Sequence, residues 1–324
     1  MQTSLMDVIF TVVVALLVLQ IGEVSTGVGN WNYDKSSTGG PGNWSFYYPD
    51  CGGVRQSPIN ILTQEVLYDP LLPRFDLSDY QLTDGVHMEM VNKGGRTVEV
   101  EYTGKMIYIK DGGLPTLYKL DQFHFHWGAF DARGSEHSLD DNFFPMEMHI
   151  VHRQNSSNTY ENAASHPSGL AVIGFFFKVV EEDNEKLNRH LLQYFSKIAA
   201  ADQLAHIPTF ALSEILPDIN NLDYYRYDGS LTTPPCHESV IWSVATEFIP
   251  ISESQLNMFR NLYDIEHHHL VDDFRPLQKV NHRRVYTTKK GTQTLNNLGV
   301  GVTTMLGWVT TSQIILLVHM LAQF

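Results

Sequence analysis

The chain has 324 residues and a formal net charge of −14 at pH 7, with 22 basic side chains against 36 acidic ones. That balance argues against a nucleic-acid partner, because phosphate binding needs clustered lysine and arginine. The stretch between the two apolar ends is long enough to bury one large core, and no internal repeat or low-complexity linker divides it.

At the amino end, Val8 to Ile21 is apolar apart from Thr11 and Gln20, and small residues come next at Gly22, Ser25 and Gly27. The run is shorter than the roughly 20 residues a membrane span needs. It reads as a secretory signal peptide over residues 1–24, cleaved between 22 and 27, although its first residues carry no Lys or Arg. Strand-like runs dominate the rest of the chain up to its apolar tail: Val98–Tyr102, Lys105–Lys110, Leu117–His126, Met146–His152, Leu170–Val180 and Val240–Phe248. Turn signals such as Thr103-Gly104, Asp111-Gly112-Gly113 and Asp228-Gly229 separate them. Helical patterns are few: Glu185–Ala200, Ser213–Leu216 and Ser252–Leu262. The fold class is therefore predominantly β (α+β), a single domain with short peripheral helices.

Two of these strands carry chemistry. Gln122-Phe123-His124-Phe125-His126-Trp127 places His124 and His126 two apart, so they share one strand face. Glu147-Met148-His149 can bring a third imidazole from a neighbouring strand. Three protein ligands and one open position is how catalytic zinc is held, whereas structural zinc is usually enclosed by four. His-x-His alone is a weak signal. It is strengthened by Gln122 and Glu147, each two residues before a histidine, as acceptors for the outer ring N–H that a ligating imidazole must place. His267-His268-His269 looks like a metal tract, but its polar surroundings read as a solvated loop with no catalytic role.

Toward the carboxyl end nothing after Lys290 carries a formal charge. Residues 289–304 form a polar stem with small residues, and residues 305–324 an apolar tail. That is the shape of a signal for a lipid (GPI) anchor, with Asn297 or Gly299 as attachment site; a single-pass tail or short span is the alternative. The expected location is the extracellular face of the plasma membrane, or secretion if neither anchor holds. The two cysteines, Cys51 and Cys236, are then in a compartment that permits a disulfide, with two free buried thiols as the alternative. Asn43-Trp44-Ser45 and Asn155-Ser156-Ser157 are N-glycan acceptor sequons.

Taken in order, these motifs resemble the α-class carbonic anhydrases. The likeness includes Trp31-Asn32-Tyr33, Arg55-Gln56-Ser57-Pro58-Ile59-Asn60, the two histidine strands, Gly134-Ser135-Glu136-His137 and Gly169-Leu170-Ala171-Val172. It continues through Tyr227-Asp228-Gly229-Ser230-Leu231-Thr232-Thr233-Pro234-Pro235 and Val271-Asp272-Asp273-Phe274-Arg275-Pro276, so the catalytic domain is placed at residues 28–288. The resemblance implies a central, twisted, mostly antiparallel sheet of the ten-stranded type. It also implies one zinc ion on His124, His126 and His149, and hydration of carbon dioxide to bicarbonate and a proton by a zinc-bound hydroxide.

Other roles come with the resemblance. Thr232 would orient the nucleophile by donating its own proton to Glu136, with Thr233 positioning substrate. Val151, Val172, Leu231 and Trp242 would form the apolar wall for carbon dioxide, and Tyr33 would belong to the solvent network. Cys51 would pair with Cys236, and sulfonamides and anions would inhibit. Fast members of the family carry a proton-shuttling histidine in an Asn-x-Gly-His pattern. Here the stretch reads Asn92-Lys93-Gly94-Gly95-Arg96, so Gly95 stands in that place. Lys93 is a poor substitute at its ordinary pKa, and proton export is expected to be the weak step. Two other readings are a catalytically silent surface domain, disfavoured by the intact histidine triad, and an enzyme whose main work is ester hydrolysis.

Overall fold

The computed structural model describes residues 31–290 and the backbone of 293–294; the expected leader and apolar tail lie outside the described residues. Ten strands form the body of the sheet. In chain order they are β1 (Leu67–Tyr68), β2 (Val86–Asn92), β3 (Val98–Gly104), β4 (Tyr118–Trp127), β5 (Met146–Gln154), β6 (Leu170–Val180), β7 (Leu204–Ile207), β8 (Tyr224–Gly229), β9 (Val240–Ala245) and β10 (Tyr286–Thr287). Across the sheet they run β7-β2-β3-β4-β5-β6-β9-β8-β10-β1. Neighbours are antiparallel except β6 with β9 and β10 with β1. The mostly antiparallel sheet implied by the family resemblance is therefore present.

Both faces of the sheet are covered at its centre. Along β6, Ala171, Ile173, Phe175 and Phe177 enter the larger core, while Leu170, Val172 and Phe176 enter a second, smaller one. A strand buried on both sides loses the polar alternation of a half-exposed one, which is why Leu170–Val180 reads as one apolar run.

The local geometry of β4 decides where the site forms. Its ladder with β5 shifts register between Leu120 and Gln122, leaving Asp121 as an extra residue. Before the shift, Tyr118 and Leu120 face the larger core; after it, Phe123, Phe125 and Trp127 do. Because side chains alternate with a period of two, one inserted residue swaps the faces. Gln122, His124 and His126 are thereby turned away from that core together.

Elsewhere the sequence expectations need adjusting. The helix expected over Glu185–Ala200 is an α-helix only at Glu185–His190 and a 3-10 helix at Leu192–Lys197. Adjacent Leu191 and Leu192 are both buried. Neighbours on one continuous α-helix point about 100° apart, so a break at Leu191, which leaves helical backbone angles, lets both go inward. Ser213–Leu216 is likewise a short 3-10 turn, Leu212–Ile215. The run Val240–Phe248 is strand only at Val240–Ala245 (β9), and a separate strand, Ile249–Ser252, begins just beyond it and pairs with the far end of β6. The run Lys105–Lys110 becomes strand only at Tyr108–Asp111. Helix Glu253–Arg260 matches its expectation, and a capping box of Ser252 and Gln255 starts it.

Candidate metal centre and active-site cavity

The antiparallel register sets His124 directly opposite His149 across β4 and β5. With His126 two residues along, the three rings form a compact group, with centroids 5.1 Å (His124–His126), 5.2 Å (His124–His149) and 4.7 Å (His126–His149) apart. One nitrogen from each ring lies within 4.8 Å of the others.

Each ring's outer nitrogen is committed elsewhere. His124 Nδ1 donates to Gln122 Oε1 at 2.9 Å, and His149 Nε2 to Glu147 Oε1 at 2.8 Å. Both acceptors are the ones expected from the sequence. His126 Nδ1 donates to the backbone carbonyl of Asp273 at 2.7 Å. That partner could not be read from residue type, since any residue carries a carbonyl. These bonds direct Nε2 of His124, Nε2 of His126 and Nδ1 of His149 toward one another.

The donor set suits a metal. Burial, then the neighbouring imidazoles, pushes His124 well below its ordinary pKa, and burial pushes His126 down as well. Neutral imidazole is the form that ligates. His126 Nε2 is buried without a hydrogen-bond partner, as is Oε2 of Glu136, 3.5 Å away. Buried polar atoms are rarely left so, and a cation held by the triad would complete the ring nitrogen. Three imidazoles favour zinc or a neighbouring transition metal over magnesium or calcium, which prefer oxygen.

A second cluster, His137, Glu147 and His149, is also close enough to suggest a metal, but its carboxylate is already used. Glu147 Oε1 accepts from His137 Nδ1 and His149 Nε2, and Oε2 accepts from the backbone N–H groups of Glu136 and His137. Burial alone would raise the Glu147 pKa; the electrostatic effect of His137 and His149 and their hydrogen bonds hold it well below the usual carboxylate range. The cluster is a girder for the first site. His137 stands in the Gly134-Ser135-Glu136-His137 motif, but nothing in its sequence spacing points to this role.

Glu136 is fully buried beside the triad, with Oε2 4.0 Å from His149 Nδ1 and Oε1 accepting the backbone N–H of Arg275 at 2.8 Å. Because Oε2 has no hydrogen-bond partner among the described residues, the expected bond from Thr232 to that oxygen is not made in this structure. Thr232 lines the cavity over the triad, and Glu136 lies buried beside His126 and His149.

A cavity of about 580 Å³ opens over the triad, and Tyr33, Val151, Val172, Leu231, Thr232, Thr233 and Trp242 all line it. Trp242 packs its ring 4.7 Å from that of His149. Tyr33 sits in an edge-to-face group with Trp31 and Trp44. Burial first, then the carboxylates of Glu136 and Asp273, raises its hydroxyl pKa well above the ordinary value. The charged rim includes Lys93, Arg96, Glu99, Glu101 and Asp121.

Gly95 itself is not on the cavity wall. It is buried, with φ +61°, and a Cβ there would lie 2.6 Å from the backbone nitrogen of Ile265. The neighbours that do reach the cavity are Lys93, Arg96 and Thr97, and the only histidines among its described lining residues are the triad. Lys93 is bound to Glu99 (3.1 Å) and Glu101 (2.5 Å), which raise its pKa despite the opposing effect of burial. Cys51 and Cys236 form a disulfide. Asn43 and Asn155 are exposed, and so are all three residues of His267-His268-His269. His268 lies near Asp264 and Glu266, and His269 stacks on Tyr263.

The fold and site define a β-sheet protein with a three-histidine candidate metal centre at the base of a cavity, and sequence comparison identifies the class. Residues 39–289 match the family of eukaryotic-type carbonic anhydrases, and the chain belongs to that family. It is 37% identical over 267 residues to carbonic anhydrase 7 of Mus musculus, covering 80% of this chain and 97% of the relative. Carbonic anhydrase 6 of Homo sapiens is 34% identical over 277 residues, covering 84% and 88%. Human carbonic anhydrase 3 is 33% identical over 266 residues, covering 80% and 98%. The chain is thus a carbonate dehydratase, and its reaction is the reversible hydration of carbon dioxide.

Proposed function

We propose that the reaction runs at a single zinc ion held by His124, His126 and His149, on the extracellular face of the cell. The observation that carries this reading is the set of three inward nitrogens, each fixed by a hydrogen bond on the far side of its ring. Zinc bound there would generate a nucleophile from water near neutral pH, an effect for which carbonic anhydrase is itself the standard example.

The chain's own residues do the rest. Val151, Val172, Leu231 and Trp242 give carbon dioxide, which has no net dipole, an apolar wall beside the triad. Thr232 and Thr233 offer hydroxyls in the same cavity. A hydroxyl that donates to Glu136 can only accept from the nucleophile, and this selects its orientation. Glu136 Oε2, buried without a hydrogen-bond partner among the described residues, has the capacity to accept that proton. Among the described residues the cavity offers proton export no histidine beyond the triad, so turnover leans on external buffer. The apolar leader, the uncharged tail and the disulfide support a secreted, lipid-anchored form; release of the protein from cells by a phosphatidylinositol-specific phospholipase would test the anchor.

Stopped-flow hydration over a series of imidazole concentrations tests the chemistry. Activity that climbs with imidazole and then saturates is expected. Zinc-loaded protein with no activity at any buffer concentration would refute the site assignment, and fast turnover without transferring buffer would refute the missing relay.

A further inference from the structure

A second cavity, of about 500 Å³, shares no lining residue with the first. It lies against β8, β9 and β10, and Arg55, Arg226, Arg283, Arg284 and His282 line it, opposed by Asp69 and Asp228. An excess of cations is unexpected in a chain of net charge −14, and the position of one of them gives it meaning.

Arg226 is only 8% exposed. Its Nε and Nη2 both donate to Ser243 Oγ, at 3.1 and 2.9 Å, and its guanidinium lies over the rings of Phe75 (5.5 Å) and Tyr224 (5.0 Å). Among the described residues it forms no ion pair, and its Nη1 has no hydrogen-bond partner. That nitrogen lies on the Gly113 side of the cavity, 3.4 Å from where a Cβ of residue 113 would sit. A buried charge answered by a hydroxyl, two ring faces and the through-space field of Asp228, with no carboxylate in contact, is costly to maintain.

The other cations differ in availability. Arg55 is bound to Glu238, and Arg283 donates to the carbonyls of Val280, Asp228 and Lys279. Arg284 is exposed, with no side-chain hydrogen bond or ion pair among the described residues. Of the two carboxylates, Asp69 accepts the backbone N–H of Leu71, and Asp228 is exposed and makes no ion pair with Arg226.

We propose that this cavity is a binding site for a small oxyanion, held by Arg226 from below and Arg284 from the rim. Guanidinium matches the geometry of adjacent oxygens on phosphate, sulfate or a carboxylate through paired N–H donors. The site is separate from the metal centre, so it would bind an anion without competing for zinc.

Isothermal titration of inorganic phosphate into the zinc-loaded full chain, saturated with benzenesulfonamide to block the metal, tests the proposal at low ionic strength. One saturable site is expected, with affinity weakened about tenfold in both Arg226→Gln and Arg284→Gln. Arg284→Gln alters only an exposed side chain and keeps the test valid if the buried substitution fails to fold. Acetate titrated in parallel separates a carboxylate ligand from a phosphate one, and either binding in this variant-sensitive way supports the site. The proposal is overturned by the absence of saturable binding of both anions. Equal affinity in the parent and Arg284→Gln, or matching heats with chloride, would also overturn it by showing only a diffuse cationic patch.

Discussion

At the scale of single residues, the proposed metal centre would depend on partners that do not themselves ligate. Glu147 is the clearest case, because one carboxylate accepts from His149 and anchors the backbone of Glu136 and His137. Glu147→Gln keeps the shape but removes the charge and turns one acceptor into a donor facing N–H groups. Zinc affinity should fall about 10- to 100-fold, read by competition with a chromogenic chelator; unchanged affinity would mean that ring orientation is set by packing alone. Residue 95 calls for the opposite expectation from the one its sequence position suggests. A histidine there would meet the backbone of Asp264 and Ile265 and would need a positive φ. Gly95→His should therefore cost about 2 kcal/mol or more of stability and leave buffer dependence as it was. Arg96→His, on the cavity wall, should raise turnover in weak buffer about tenfold. Stopped-flow rates at low buffer for the two variants decide between these positions.

At the scale of elements, side-chain type at a fixed period could be read from the chain, and backbone register could not. The candidate ligands and two of their acceptors are legible because His124, His126, Gln122 and Glu147 advertise themselves by spacing. The bulge at Asp121 that turns them to a common face leaves no mark of its own, and neither does the carbonyl of Asp273. Strands β2 and β8 escaped notice for a related reason. Val86, Met88 and Met90 alternate correctly, but Met is not a strand former, and β8 mixes Arg226 and Asp228 with its tyrosines. Strand β5 also carries a stability switch. His152 is fully buried, with Nδ1 donating to Ala171 O (3.0 Å) and Nε2 2.8 Å from the Tyr80 hydroxyl. Burial pushes its pKa down to about 4 from the ordinary 6.5. Between those values the unfolded chain takes up a proton that the folded chain refuses. Its contribution is therefore complete above pH 6.5 and is lost as the pH falls toward 4, on the order of 3 kcal/mol in all. Urea midpoints of metal-free protein at pH 7 and 5 should show this loss, and His152→Gln should flatten it; an equal slope in both would place the acid sensitivity elsewhere.

At the scale of the whole molecule, the site is assembled from segments far apart in the chain, and two devices join them. The disulfide links Cys51 to Cys236 across 185 residues, tying the amino-terminal loop to the segment that carries Thr232 and Thr233. Arg275 duplicates part of that work without a covalent bond. Its guanidinium donates to Gln56 Oε1 and to the carbonyls of Ser57 and Cys51, while its backbone N–H holds Glu136. Gln56 in turn donates to the carbonyl of Cys236. Removing the covalent link in a Cys51→Ser, Cys236→Ser double variant releases a long loop in the unfolded chain and should cost on the order of 4 kcal/mol. The native arrangement stays hydrogen-bonded, so well below its melting temperature the variant should keep most of its turnover. Arg275→Met behaves differently, because it leaves the buried carbonyls of Cys51 and Ser57 and the Gln56 oxygen short of a donor at the folded site itself. It should lower turnover as well as stability even with the disulfide intact. Melting temperature and hydration rate measured on both variants separate the two devices. Equal losses of activity would mean that the covalent link holds the cavity in shape as much as the arginine does.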